Sequence, residues 1–223
     1  MFAKCKKLYR ELSELEKVLL LSAAFSICLL MARICVTGEW QFAFMPWNMF
    51  LAYIPFWITN WLTRNPGRIE QKAIFVLALL SWILFIPNSF YIITDLFHFN
   101  DKKDAPKWFD LILLFSFAWN GILPGVLSVY KMETIFVKGL RLSNRLYFLL
   151  PIRWLIALGV YIGRYLRYNS WDIITNPFAL SADIFQMLIH PFRNGYAWGM
   201  IVCFTCLMTI VHLTIRRMAR VIG

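Results

Sequence analysis

Residues 73–99 read "AIFVLALLSWILFIPNSFYIITDLFHF". Their first half is apolar apart from Ser81, and the run up to Thr94 exceeds the roughly 20 residues needed to cross a hydrocarbon core. It is too long for a buried strand, so it predicts a membrane helix. The second half gathers a proline, an asparagine, an aspartate and a histidine where such a helix meets the far side of the bilayer. Pro87 lies about 21 Å beyond Ala73 at about 1.5 Å per residue, and a helical proline predicts a kink there. Ser81, Asn88 and Asp95 recur every seven residues, with Tyr91 and His98 close to that spacing, which places them on one face. Amides and carboxylates are costly against lipid, so the face is expected to point into a bundle.

The rest of the chain fits a bundle around this helix. Of 223 residues, 60% are hydrophobic and only 16% are charged, well below the charged share of a soluble domain, about 25%. Six apolar runs are expected to span: Val18 to Val36, Phe44 to Leu62, Ala73 to Thr94, Trp108 to Val129, Tyr147 to Leu166 and Tyr196 to Ile215. The fold class is an all-α polytopic membrane bundle, one domain over residues 1–223. Net charge is +11, which in a soluble chain would suggest nucleic acid; in this one it is a topology signal. Fifteen of the 23 basic residues fall on the side of the two termini, so both termini are expected to be cytoplasmic. No small-residue cleavage pattern follows the first span, which is expected to stay as an uncleaved anchor. Cys203 and Cys206, three apart, read as ordinary packing.

Between the spans, residues 1–17 contain "KCKKLYRELSELEK" with leucines at a helical period, predicting a short cytoplasmic amphipathic helix. "KMETIFVKGLRLSNR" predicts a bent inner connection. On the outer side, "NPFALSADIFQMLIHPF", residues 176–192, is too short to span. Its part from Pro177 to Pro191 predicts an interfacial helix capped by Ser181 that covers the bundle mouth.

Asn48, Asn88, Asp95, His98, Asp110, Arg164, Arg167, Asn169 and Asp172 all approach the outer surface, from four spans. Arg164 and Arg167, one helical turn apart, suit an oxyanion that guanidinium groups hold bidentately. Asp95 and His98 suit proton transfer or polarisation of a substrate held there. Asn48, Asn88, Asn169 and Asp172 suit positioning. Asp110 also fits a helix amino terminus, and Asn120 fits an interhelical hydrogen bond. Arg153 fits a side chain snorkelling to the inner surface, and Gly159 with Gly163 allows close helix approach. No metal-ligand motif strengthens Asp95 and His98, so no metal and no cofactor is expected.

"WNMFLAYIPF", "FIPNSFYIITDLFHF", "FAWNGILPGVLSVY" and "YIGRYLRYNSWDII", within Trp47 to Pro177, resemble the bacterial membrane-protein family called domain of unknown function 1361. The resemblance implies a multi-pass protein of the bacterial inner membrane and no particular reaction. Three functions are in play: a site for an anionic, lipid-linked or amphiphilic ligand at the outer leaflet, a transporter, and a non-catalytic subunit or scaffold with an ion-paired plug. The expected partners are the lipid bilayer and that anionic lipid or amphiphile. Nucleic acid is not expected, and the sequence names no protein partner.

Overall fold

A computed structural model describes residues 12–100, 105–140, 146–170 and 172–222. These form helices and no strand. The first, α1 (Glu14–Thr37), begins at a capping box: the Glu16 amide donates to Ser13 Oγ at 3.3 Å, and the Ser13 amide donates to Glu16 Oε2 at 2.9 Å. That reciprocal pair satisfies two amides a helix start leaves unpaired. It ends at Gly38, whose φ of 71° closes a left-handed cap that glycine adopts without steric cost. The amphipathic helix expected before span one falls mostly on residues 1–11, outside the described residues. Its last turn is the first turn of α1, because Ser13 caps there.

Then follow α2 (Met45–Arg64), α3 (Lys72–Tyr91), which tightens into a 3₁₀ segment (Ile92–Asn100), and α4 (Lys107–Leu140). Next come α5 (Leu146–Tyr161), which runs into a π-turn (Ile162–Leu166), then α6 (Pro177–Ile189) and α7 (Gly195–Ile222). Helix α4 continues through Lys131–Leu140, which corrects the expectation of a loop beginning at Lys131; residues 141–145 lie outside the described residues. Ser181 does not cap α6. The helix starts at Pro177, and the Ser181 hydroxyl donates to the Pro177 carbonyl at 2.7 Å.

Among the described residues, five helices are long and apolar enough to cross a membrane: α1, α3 through Phe99, α4, α5 through Leu166, and α7. The chain is a helical membrane protein. The remaining expected run forms a helix, α2, 20 residues long, but it is not among the five, and Asn48, Asn60 and Arg64 make it less apolar. A central position explains this composition: α2 packs mainly on α3 and α4, with Ala52, Thr59 and Leu62 fully buried. Helix α1 closes one side against α4, and α5 bridges α3 to α7.

Small residues set these distances. A Cβ on Gly121 of α4 would meet the Ser89 carbonyl of α3 at 2.6 Å, and one on Gly159 of α5 would meet Pro87 Cγ at 2.5 Å. The Gly159/Gly163 pair therefore brings α5 onto α3, with Pro87 and Tyr91 filling the space a side chain would take. Mid-bundle, Asn120 donates to Ser22 and Ser26 of α1, each at 3.0 Å, and accepts from the Tyr53 hydroxyl of α2 at 3.0 Å. The interhelical role expected of Asn120 is met across three helices.

Candidate functional site

Where α3 and α5 meet, the outer end of the bundle opens into a cleft of about 710 Å³. "Outer" names the end of the bundle away from the two termini, the orientation expected from the charge asymmetry of the sequence. Leu80, Leu84, Leu155 and Leu158 give it an apolar floor, and Leu180 and Ile184 of α6 line it from the far side. Its polar lining consists of neutral groups: Asn48, Ser81, Asn88, Tyr168, Asn169 and Ser170. Along α3 it runs from Leu80 to Tyr91, about 17 Å at about 1.5 Å per residue. One leaflet of a roughly 30 Å hydrocarbon core is about as thick.

Each asparagine is held by a local partner. Asn88 Nδ2 donates to Ser170 Oγ at 2.9 Å and to the Phe85 carbonyl at 3.1 Å, tying α3 to the segment after α5. Asn48 Nδ2 donates to Asp95 Oδ2 at 3.1 Å. Asn169 donates through its backbone amide to Asp172 Oδ2 at 2.6 Å, and Thr175 donates to Asp172 Oδ1 at 3.0 Å. Asp172 thus serves a turn of its own segment. The Tyr168 hydroxyl donates to Asp183 Oδ2 at 2.9 Å and fastens α6 over the cleft. That bond raises the Tyr168 pKa above its ordinary value, since ionisation would remove the donor; desolvation and the charges of Asp183 and Asp172 act in the same direction.

The family profile described as "Protein of unknown function (DUF1361)" matches residues 47–211. The chain belongs to that family. The matched region of this DUF1361 protein starts at Trp47, the first cleft residue, and contains the whole cleft lining. No curated protein and no solved structure matches the chain.

The expected cluster is divided into two parts in this DUF1361 protein. Asn48, Asn88 and Asn169 line the cleft, whereas Asp95, His98, Arg164 and Arg167 do not. The seven-residue spacing carries Ser81 and Asn88 to the cleft, but beyond Tyr91 the backbone is 3₁₀. Its three residues per turn rotate later side chains away from the α-helical face. Asp95 is accordingly buried, 1% exposed, and reaches the cleft only through Asn48.

Arg164 and Arg167 do not share a helical face. Arg164 sits in the π-turn, and Arg167 ends it in the left-handed conformation, φ 61°. Arg164 Nη1 lies 3.3 Å from His98 Nε2, and its guanidinium lies 5.1 Å from the Phe97 ring centre. His98 meets the Phe44 ring edge-on at 5.6 Å. Arg167 is exposed.

Other charged residues have roles the sequence reading missed. Asp110 forms a buried ion pair with Arg33, Nε to Oδ1 2.7 Å, with the Arg33 guanidinium 4.5 Å from the Phe42 ring centre. An arginine inside an apolar first span was the available signal, because such a charge needs a partner. The inner half holds charged clusters as well. Glu133 joins His212 at 3.1 Å and Arg216 at 3.3 Å. Glu16 receives Arg64 at 2.6 Å and Asn60 at 2.9 Å, and Lys131 donates to Asn60. Arg153 does not snorkel: it is 2% exposed and donates to Thr209 at 3.2 Å. A second groove, about 550 Å³ between α1 and α2, ends at the Glu16–Arg64 pair, where the charges satisfy one another.

Proposed function

We propose that this is a bacterial inner-membrane protein, with both termini in the cytoplasm, whose outer cleft binds an amphiphile with an acyl-like tail and an anionic head. The observation that carries the reading is the cleft itself: leaflet-length, apolar along its floor, with neutral amide and hydroxyl groups at its edge. A volume of about 710 Å³ lies within the roughly 300–1,000 Å³ of small-molecule sites. The tail lies along Leu80, Leu84 and Leu155. Asn88 and Asn169 exchange their local partners for the head group, which neutral amides do at modest cost.

Arg164, next in the chain to the lining residue Gly163 and turned to His98 and Phe97, supplies the positive charge for the head group. Asp95 is a positioning residue that orients Asn48, and Arg167 and Asp172 frame the segment that carries Asn169. Helix α6 acts as a cover fastened by Tyr168 and Asp183. The reading is one of binding, and no reaction is assigned to Asp95 and His98.

Native mass spectrometry of the purified protein tests it. Wild-type protein is expected to retain an amphiphile that Ser81→Trp, which fills the cleft floor, excludes. Arg164→Ala is expected to weaken retention of acidic species selectively. Equal retention by wild type and Ser81→Trp contradicts the assignment.

A further inference from the structure

A small polar cavity lies at the contact of α4, α5 and α7, apart from the outer cleft. Arg153 of α5 is 2% exposed and His212 of α7 is 3% exposed. Both line a small cavity of about 10 Å³ together with Val126, Val129, Ile156 and Met208. Arg153 bonds through Nη1 to the neutral Thr209, while its buried Nε and Nη2 have no acceptor among the described residues. Burying guanidinium donors without an acceptor is costly, so an acceptor is expected to complete them.

The ionisable groups around His212 define what that acceptor can be. From α4, Glu133 Oε2 is 3.1 Å from His212 Nε2, and the Tyr130 ring centre lies 6.4 Å from the imidazole. From its own helix, Arg216 holds Glu133 Oε1; from α5 the charged group is Arg153. Phe90 of α3, which also lines the cavity, brings no charge. The Glu133 carboxylate accepts from His212 Nε2–H, which leaves His212 Nδ1, buried and without a partner among the described residues, as the remaining ring nitrogen. In the neutral ring that nitrogen is a lone pair. In the protonated ring it is a third N–H beside those of Arg153.

We infer that Arg153 and His212 form a site for one small monoatomic anion, taken up together with a proton on His212. Three donors then converge on the anion: Arg153 Nε–H, Arg153 Nη2–H and His212 Nδ1–H. The proton comes from solvent and adds to Nδ1, no covalent bond is broken, and proton and anion together add no net charge to the interior. A cavity of about 10 Å³ holds roughly one water-sized sphere. It rejects polyatomic oxyanions such as sulfate or phosphate, and Met208 supplies the adaptable wall that sets the preference among halides.

The test is halide binding to the detergent-purified wild-type protein, exchanged into gluconate buffer and titrated with fluoride, chloride or bromide at constant ionic strength. Equilibrium dialysis is run at pH about 5.5 and about 8, on either side of the usual imidazole range. The expected result is one saturable site for at least one halide, with an affinity at least about tenfold higher at pH about 5.5 than at about 8. Sulfate is expected not to compete, and Arg153→Gln is expected to abolish binding. Absence of halide binding at both pH values, which would leave water alone as the occupant, overturns the site. Binding that is equal at both pH values overturns the coupling to His212. Because Arg153→Gln removes a buried cation and can fail to fold, the two-pH measurement on wild type carries the test by itself.

Discussion

The outer cleft and two clusters of the inner half of this bundle use polar residues in opposite ways. At the outer cleft the lining groups are neutral: Asn48, Asn88, Asn169 and Ser170, each joined to a nearby partner by hydrogen bonds. At the inner end they are charged and matched, as in Glu133 with His212 and Arg216, and Glu16 with Arg64. The difference matters because a neutral hydrogen bond contributes about 1 kcal/mol net, whereas removing one member of a buried ion pair costs about 3–5 kcal/mol. Partners can be exchanged in the cleft and not at the buried Glu133 cluster. The cleft is therefore suited to a ligand and the Glu133 cluster to holding α4 and α7 together.

The sharpest break of that contrast is Glu133→Ala. It leaves His212 and Arg216 without their carboxylate and is expected to cost about 3–5 kcal/mol of stability in reversible unfolding from mixed micelles; a loss below about 1 kcal/mol would remove the inner end as a lock. Next in size is Gly121→Ala, which drives a methyl group against the Ser89 carbonyl. Overpacking of this kind costs about 1–3 kcal/mol, and it should leave amphiphile retention per folded molecule unchanged. Asn88→Ala is expected to cost no more than about 1 kcal/mol while releasing the retained amphiphile, a separation that neither of the first two variants gives.

The smallest effect concerns the cover. With the Tyr168 pKa raised on folding, the bond to Asp183 contributes below the ordinary tyrosine pKa of about 10. It is lost as pH rises through the raised value. The protection factor of the α6 amides, which divides out the base-catalysed intrinsic exchange rate at each pH, is expected to fall across that alkaline range in wild type and to be already low, and flat with pH, in Tyr168→Phe. A pH-independent protection factor in wild type would mean that Asp183 does not fasten the cover.

The helical bundle was legible because apolar run length is a one-dimensional signal: each of the six expected runs falls on a helix, with Phe44 one residue before α2 and the third and fifth runs continuing into the 3₁₀ and π segments. The helix of mixed composition, α2, is the central one, where polar side chains meet other helices instead of lipid. Gly159 and Gly163 were legible too, since the need for close approach is written in the missing side chains. The composition of the outer cluster was less so. Spacing arithmetic assumes an α-helix, and it failed where α3 tightens after Tyr91 and where α5 loosens after Tyr161, moving Asp95, His98 and Arg167 off the expected face. Pairings such as Arg33 with Asp110, 77 residues apart, depend on which helices are neighbours. Local periodicity carries no record of that.

The most direct test of the outer cleft as a specific site is photo-crosslinking in intact membranes from benzoylphenylalanine placed at Ile83, which lines the cleft, and at Leu77, which is 67% exposed on the same helix. Mass analysis of the adducts is expected to give one dominant amphiphile at position 83 and the bulk lipid mixture at position 77. The same bulk mixture at both positions would contradict a specific site and make the cleft an ordinary lipid-filled groove.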